Sequence, residues 1–123
     1  MLINGDYVLY NTDGLAYGYI LDFDDAQRWL LTPNEDGEYI ITNKNTGRSL
    51  DVANNSKTSG APVIVYDTSG DANQRWIFEK QEDGTYLIKS VHSGLYLSIS
   101  SDGTAVHAEV NESLKQNWKI SVY

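Results

Sequence analysis

The tripeptide pattern Gln-any-Trp occurs three times in this chain and constrains its fold more than any other feature. The copies are Gln27-Arg28-Trp29, Gln74-Arg75-Trp76 and Gln116-Asn117-Trp118. The glutamines are separated by 74 − 27 = 47 and 116 − 74 = 42 residues. A pattern that returns at intervals of this size indicates tandem copies of one structural unit. We therefore predict three repeats, at about 1–33, 34–80 and 81–123.

Two glycine patterns recur together with Gln-any-Trp. The first, Gly-any-Tyr followed by two apolar residues, begins at Gly5, Gly37 and Gly84. The second is a turn glycine that follows the first pattern by 9, 10 and 10 residues, at Gly14, Gly47 and Gly94. The first repeat is predicted to be shortened, because Gly5 to Gln27 spans 22 residues against 37 and 32 in the other two. Two of its strands are expected to be abbreviated around Tyr17-Gly18-Tyr19.

Within each repeat, short apolar or alternating runs are separated by turn residues. Examples are 39–42, 49–52, 63–66 and 76–78. Such runs predict β-strands, and no window of a dozen residues shows a helical period. Four-stranded repeats also occur in propellers, but those need about four to eight blades to close. Three repeats predict instead an all-β fold, a β-trefoil with pseudo-threefold symmetry, in which the two ends of the chain meet.

The charge and composition exclude several classes of protein. Nine basic against 17 acidic residues give a net charge of −8, which repels a phosphate backbone and argues against nucleic acid as a partner. The absence of cysteine excludes disulfides and thiolate chemistry but leaves the compartment open. The chain as given has no signal-peptide pattern and no run long enough to span a membrane. We expect one soluble domain over residues 1–123 without membrane insertion, and its localisation stays open.

The second repeat carries a family resemblance. Gly47-Arg48-Ser49-Leu50-Asp51-Val52 and Asp71-Ala72-Asn73-Gln74-Arg75-Trp76, together with the three Gln-any-Trp patterns, resemble the ricin-B-type β-trefoil lectins. The resemblance covers the whole chain. It implies a protein that is not an enzyme, needs no cofactor and binds carbohydrate non-covalently. Glycans of the galactose or N-acetylgalactosamine type are the ligands that it implies.

The resemblance also implies one sugar pocket in the second repeat. Its residues are Asp51, Asn54, Tyr66, Asn73 and Gln74. A carboxylate at Asp51 can accept two hydroxyl hydrogen bonds, and the ring of Tyr66 can cover the apolar face of a pyranose. Asn73 can both donate and accept, while Gln74 can bond a hydroxyl and hold Asp51 in place. Asn54, in the loop after Asp51, is expected to add a polar contact.

The other two repeats depart from this pattern. Counted from the turn glycines, the position of Asp51 is occupied by Gly18 in the first repeat and Ser98 in the third. The remaining pocket positions differ as well, with Ala26 and Lys115 before the glutamines and Glu109 or Ala108 at the position of Tyr66. Neither repeat supplies the carboxylate, so we expect a single working site.

The tryptophans are expected to have a structural role. Indole is a large apolar group that buries about 150–250 Å², so Trp29, Trp76 and Trp118 are predicted to lie in the core around the pseudo-threefold axis. The glutamine of each copy is expected to bond to backbone in its hairpin. Gln-any-Trp therefore indicates the fold rather than the ligand.

Other polar groups favour structural interpretations. Asp22, Asp24 and Asp25 lack the spacing of a calcium loop, so a solvated turn is favoured and no metal site is predicted. His92 and His107 stand neither in a zinc spacing nor near a glycine-flanked serine, and are assigned to surface loops. Paired carboxylates for glycoside hydrolysis cannot be identified by counting, since they require a separation of about 5 Å or 6.5–9.5 Å.

Two other functions without catalysis stay open. Some β-trefoils inhibit proteases through an exposed loop, although that function gives no role to Asp51, Asn73 and Gln74. The chain is alternatively the carbohydrate-targeting module of a larger hydrolase or toxin. One shallow sugar site binds weakly, so avidity would come from a homo-oligomer, a multivalent glycan surface or attachment to another domain.

Overall fold

Strands account for nearly all of the regular structure. The computed structural model describes residues 2–4, 7–12, 15–19, 27–100, 105–108 and 116–120. In the ranges 2–19 and 105–108, side chains are described only for Leu2, Leu9 and Ala105. The regular elements in the described ranges are β-strands and short 3₁₀ turns, so the predicted all-β class is confirmed.

Twelve strands lie in the described residues, in three groups of four. The first group is β1 Leu2–Asn4, β2 Tyr7–Thr12, β3 Leu15–Tyr19 and β4 Trp29–Pro33. The second is β5 Tyr39–Asn43, β6 Ser49–Val52, β7 Ala61–Tyr66 and β8 Arg75–Lys80. The third is β9 Tyr86–Ser90, β10 Tyr96–Ile99, β11 Ala105–Ala108 and β12 Lys119–Ile120.

All strand pairs are antiparallel, and each group contains one central hairpin. These hairpins are β2–β3, β6–β7 and β10–β11, and their second strands meet because β7 pairs with both β3 and β11. Hairpins β4–β5 and β8–β9 join one group to the next. The arrangement is the predicted β-trefoil, whereas the repeat boundaries themselves stay a prediction.

The two ends of the chain lie side by side. Strand β1 pairs with β12, with Leu2 opposite Ile120 and Ile3 opposite Lys119. This pairing occupies the position that β4–β5 and β8–β9 occupy between the other groups. The prediction that the ends meet is therefore confirmed.

The three tryptophans make the same hydrogen bond. The indole N–H groups of Trp29, Trp76 and Trp118 donate to the backbone carbonyls of Leu9, Leu50 and Leu97 at 3.1, 3.2 and 3.1 Å. Trp76 and Trp118 are fully buried in the core, as predicted. Trp29 is half-buried and packs against this core without being one of its fully buried members, which differs from the predicted core position.

These bonds give the correct correspondence between repeats. Leu9, Leu50 and Leu97 occupy equivalent places, so the residue equivalent to Asp51 in the first repeat is Tyr10. Gly18 lies opposite Leu9 on the neighbouring strand, and the prediction that it matches Asp51 was wrong. The error arose because Gly14 follows β2, whereas Gly47 and Gly94 precede β6 and β10, so the three turn glycines are not equivalent.

In the first repeat, both glycine patterns lie one strand later than they do in the other two repeats. Tyr39 and Tyr86 begin the first strand of their groups, whereas Tyr7 begins β2, the second strand. The expected abbreviation around Tyr17-Gly18-Tyr19 is also wrong, since β3 has 5 residues. The first repeat is shorter in a connection instead: β2 and β3 are separated by residues 13–14, but β6 and β7 by residues 53–60.

Replacing Trp76 with alanine is expected to destabilise the protein by about 3–5 kcal/mol, because it leaves a cavity and an unpaired Leu50 carbonyl. Trp29→Ala should cost less, since Trp29 is only half-buried. Denaturant unfolding of the two variants measures the difference.

The matched control is Leu30→Ala, because the Leu30 side chain is 64% exposed on β4. It should change the free energy of unfolding by no more than about 0.5 kcal/mol. A larger loss for Leu30 than for Trp76 would contradict the assignment of the core.

Candidate functional site

The hairpin β6–β7 has one face in the core and one face turned away from it. Alternate residues on a strand point to opposite faces, and residues paired across strands share a face. The core face is formed by the buried side chains Leu50, Val52, Val63 and Val65. The other face carries Asp51 opposite Ile64, and Ser49 opposite Tyr66. Register alone therefore places Asp51 and Tyr66 on one surface.

Asp51 is a nearly buried carboxylate, with 6% of its surface exposed. Its Oδ1 accepts a hydrogen bond from Asn73 Nδ2 at 3.1 Å, and its Oδ2 accepts one from Gln74 Nε2 at 2.9 Å. Both donors come from the 3₁₀ turn Ala72–Gln74, which immediately precedes β8. A carboxylate offers about four lone-pair sites, so each oxygen keeps the capacity for a further hydrogen bond.

Gln74 holds Asp51 and has no remaining hydrogen-bonding capacity. Its amide nitrogen donates to Asp51 and to the Asp67 carbonyl, both at 2.9 Å. Its amide oxygen accepts from the backbone N–H groups of Ser69 and Gly70, at 2.8 and 3.3 Å. The side chain is 1% exposed. Gln74 therefore orients the carboxylate, and its geometry leaves it no bond to offer a ligand.

Asn73 also bonds to the Asp51 carboxylate, and its side chain is more exposed to solvent than that of Gln74. Its Nδ2 donates to Asp51 and makes a longer contact of 3.5 Å to the Val52 carbonyl. The side chain is half-buried. Since its amide oxygen is bonded to no other described residue, Asn73 can accept a hydrogen bond from a ligand while it orients Asp51.

Tyr66 provides an exposed aromatic surface beside Asp51. It is 60% exposed, so most of its ring is accessible to a ligand. Tyr66 and Asp51 are diagonal neighbours in the register, a separation of about 7–8 Å that an aromatic side chain can bridge. Half-buried Ile64 lies directly opposite Asp51 and shares this face with both residues.

Sequence reasoning did not single out Ile64. The signal was present, because Ile64 precedes Tyr66 by two residues and must share its face in a strand. What was missing was the strand register, which no pattern in β6 or β7 specifies.

Asn54 lies at the edge of this surface in an unusual backbone conformation. The 3₁₀ turn Ala53–Asn55 follows β6 directly, and Asn54 and Asn55 have φ values of 56° and 53°. Two successive non-glycine residues in the left-handed region are uncommon, although asparagine tolerates it better than most. The exposed Asn54 side chain makes no hydrogen bond to the other predicted site residues in the described part of the chain.

Burial raises the pKa of the Asp51 carboxyl above its ordinary value, because removal from water disfavours the charged form. The hydrogen bonds from Gln74 and Asn73 lower the pKa and offset part of this effect, while the nearby negative charge of Asp71 raises it further. The fold therefore tolerates a carboxylate that is costly to ionise, at a place where that charge faces away from the core.

In the third repeat, the glutamine of Gln-any-Trp bonds to an uncharged side chain at the position of Asp51. Ser98 is fully buried, and its hydroxyl accepts from Gln116 Nε2 at 3.0 Å and donates to the Tyr96 carbonyl at 2.8 Å. Gln116 thus contacts Ser98 as Gln74 contacts Asp51. The register places Ala108 of β11 at the position of Tyr66, which decides between the two predicted residues.

Several predicted features cannot be compared with the structure. Asp22, Asp24, Asp25, Ala26, Glu109 and Lys115 lie outside the described residues. Within the described ranges, no group of three or more His, Asp or Glu side chains could hold a metal ion. Over the same residues, no helix is long and apolar enough to cross a membrane.

The fold agrees with comparisons to known proteins. The model of the ricin-type beta-trefoil lectin domain-like family matches residues 17–66 and 72–123, and the chain belongs to this family. A designed 3-fold symmetric protein, ThreeFoil, is 29% identical and superimposes with a TM-score of 0.86, covering 96% of this chain and 94% of its own. No curated protein matches the chain significantly.

Two natural proteins share the fold over part of their length. An exo-beta-1,3-galactanase from Clostridium thermocellum is 27% identical with a TM-score of 0.87, over 96% of this chain and 28% of its own. A Polyporus squamosus lectin, bound to the epitope Neu5Aca2-6Galb1-4GlcNAc, is 25% identical with a TM-score of 0.84, over 96% of this chain and 46% of its own. The chain thus spans less than half of either protein.

Titration of the Asp51 carboxyl by ¹³C NMR is expected to give a midpoint above the value of about 3.9 for an unburied aspartate. Because the folded-state pKa is the higher one, the contribution of Asp51 to stability is fully present below about pH 3.9 and is lost as the pH rises through the raised pKa. Asp71→Asn should lower the midpoint by removing the repulsive charge. A parent midpoint below that of a free aspartate would contradict this environment.

Proposed function

We propose that this protein is a lectin that binds glycans non-covalently through one site in the second repeat. Asp51, Asn73 and Tyr66 contact the sugar, and Gln74 positions Asp51. Ile64 contributes apolar surface between Asp51 and Tyr66, and Asn54 forms the rim. The protein acts by binding and carries out no reaction at this site.

The observation that carries the proposal is the difference between Asp51 and Ser98. The fold needs a buried polar group that accepts a hydrogen bond from the glutamine of Gln-any-Trp, and Ser98 meets that need without charge. A buried carboxylate costs free energy that a hydroxyl avoids. Asp51 is therefore more than the fold requires, and a nearly buried carboxylate whose pKa is shifted by burial is typical of a functional group.

The geometry suits one face of a pyranose. The free lone pairs of Asp51 can accept hydrogen bonds from two adjacent hydroxyl groups, while the amide oxygen of Asn73 accepts from one of them or from a third. The exposed ring of Tyr66 can stack on the C–H groups of the sugar, which bond to nothing polar. The three side chains supply a carboxylate, an amide and an aromatic face, and a sugar offers partners for each.

Galactose-type sugars are the proposed ligands. An axial 4-hydroxyl leaves one face of the ring free for stacking on an aromatic side chain such as Tyr66. Two similar proteins support the choice: one is named for its action on galactan, and the other is bound to a glycan that contains galactose. N-acetylgalactosamine keeps the same axial hydroxyl and is included in the proposal.

A single shallow site of this kind binds a monosaccharide at about millimolar strength, or roughly 4 kcal/mol. Useful avidity then needs several sites on one particle. A homo-oligomer, a dense glycan surface or a physical link to another domain would raise the effective concentration.

A second candidate function has the same sugar site but places it in a larger protein. The chain covers 28% of the galactanase that it resembles, so this fold exists as one portion of a larger enzyme. In such a setting the site would direct a hydrolase or a toxin to glycan-bearing material. The two functions share the sugar site and differ in what is attached to it.

Binding of the purified chain to a glycan array tests the proposal most directly. A lectin of this type should give signals concentrated on glycans with terminal or exposed galactose or N-acetylgalactosamine. A protease inhibitor should give no signal above background on any glycan and should instead inhibit a protease panel.

Replacing Asp51 with alanine is expected to abolish detectable galactose binding while the protein still folds. Hydrogen bonds to a charged group contribute about 1.5–3 kcal/mol each, so losing one would weaken a millimolar site by at least about tenfold. NMR titration with galactose measures the loss, and circular dichroism checks the fold.

Ser98→Ala is the matched control, since it removes the polar group at the equivalent position of the third repeat. It is expected to leave galactose affinity unchanged and to affect only stability, because Gln116 loses a partner. If Ser98→Ala lost binding and Asp51→Ala retained it, the proposal would have assigned the sugar site to the wrong repeat.

Tyr66→Ala is expected to weaken galactose binding by about twofold to tenfold, because stacking on an aromatic ring contributes about 0.5–1.5 kcal/mol beyond area burial. Tyr66→Phe keeps the ring and should bind within about twofold of the parent, since 1.4 kcal/mol corresponds to tenfold and only a hydroxyl is lost. Isothermal titration with a multivalent galactose ligand would compare them. Equal loss in both variants would show that the hydroxyl, not the ring, makes the contact.

A further inference from the structure

The turn between β9 and β10, residues 91–95, belongs to the third repeat but contacts the second. The Val91 N–H donates to the Arg75 carbonyl at 3.0 Å, and Nε2 of His92 lies 2.7 Å from the Asn55 carbonyl. Arg75 directly follows the turn that carries Asn73 and Gln74, while Asn55 directly follows Asn54. One turn is therefore bonded to both segments that border the candidate pocket.

Of these two bonds, the backbone bond from Val91 recurs in another repeat, whereas the side-chain bond from His92 does not recur at the equivalent residue. The equivalent turn of the second repeat makes the same backbone bond, from the Lys44 N–H to the Arg28 carbonyl at 2.8 Å. Alignment on Gly47 and Gly94 puts Asn45 at the position of His92. The bond found for Asn45 uses its backbone N–H, which donates to Asn43 Oδ1 at 3.1 Å. Within the described ranges the Asn45 side chain makes no hydrogen bond to the first repeat, whereas His92 bonds to the loop beside the candidate pocket.

The bonded carbonyl lies in the most constrained backbone of the region. Asn54 and Asn55 both have positive φ, and residues in sparsely populated conformations persist only when their surroundings hold them. Since a carbonyl only accepts hydrogen bonds, the contact requires His92 to carry a proton on Nε2. The imidazole thus fixes the position of the Asn55 peptide from outside the loop.

We propose that His92 is a positioning residue for the sugar site, an inference that rests on the proposed function. By holding the Asn55 carbonyl, His92 keeps the left-handed Asn54–Asn55 segment in place at the rim, shortly after Val52, whose carbonyl Asn73 contacts. The third repeat, which lacks a carboxylate of its own, thereby supports the site of the second. His92 itself does not touch the sugar.

The test compares His92→Ala with His92→Gln, whose side-chain Nε2 can donate a hydrogen bond from a similar place. His92→Ala is expected to weaken galactose binding by about threefold to tenfold, the equivalent of one lost hydrogen bond. It should also speed hydrogen exchange of the Ser56 amide, which bonds to the Ala53 carbonyl at 3.1 Å and closes the turn. His92→Gln should restore both quantities toward the parent.

The matched control is Asn45→Ala, which removes the side chain at the equivalent position of the second-repeat turn and should change neither quantity. Parental affinity and parental Ser56 exchange in His92→Ala would overturn the inference and leave the proposed function intact. Weakened binding without faster Ser56 exchange would also overturn it, because the loop would not be the route. A parent chain that binds no glycan would overturn the proposed function and this inference together.

Discussion

Each repeat of this fold depends on one hydrogen bond, from a tryptophan indole to a leucine carbonyl on the first strand of the central hairpin. The bond recurs at 3.1, 3.2 and 3.1 Å, although the connections within the three repeats differ in length. In the second and third repeats, the glutamine two residues earlier contacts the side chain that follows the same leucine. Gln-any-Trp therefore holds two successive residues of one strand, which explains its spacing.

The two recurring positions of Gln-any-Trp constrain the hairpin differently, because tryptophan bonds to backbone and glutamine bonds to a side chain. The tryptophan bond involves only backbone on the hairpin, so it accepts any side chain at the following position. The glutamine bond requires an acceptor there, and serine and aspartate both supply one. Ser98 and Asp51 show these two solutions, and only Asp51 keeps unused lone pairs on two oxygens. A binding site can thus arise or disappear in one repeat while the fold stays as it is.

The sequence contained enough information for the fold but not for the correspondence between repeats. Three copies of Gln-any-Trp and the period of the strands were sufficient to predict a β-trefoil, because those signals depend on the core. Glycine spacing misplaced Gly18, because Gly14, which follows β2, was matched with glycines that precede β6 and β10. The chemistry of Asp51, Asn73 and Gln74 was recognisable, whereas the contributions of Ile64 and His92 depend on strand register and on contacts between repeats. Those are properties of the tertiary structure, and no local pattern encodes them.

The pairing of β1 with β12 has a consequence for how the protein forms during synthesis. Leu2 leaves the ribosome 118 residues before Ile120, the residue that lies opposite it in the finished sheet. Until then the apolar side chain of Leu2, which is 1% exposed in the finished fold, has no barrel to enter. Contacts between residues so distant in sequence form slowly, because closing a long loop precedes any gain from the contact. The nascent chain must therefore keep β1 available, and protected from other strand edges, until β12 has been synthesised.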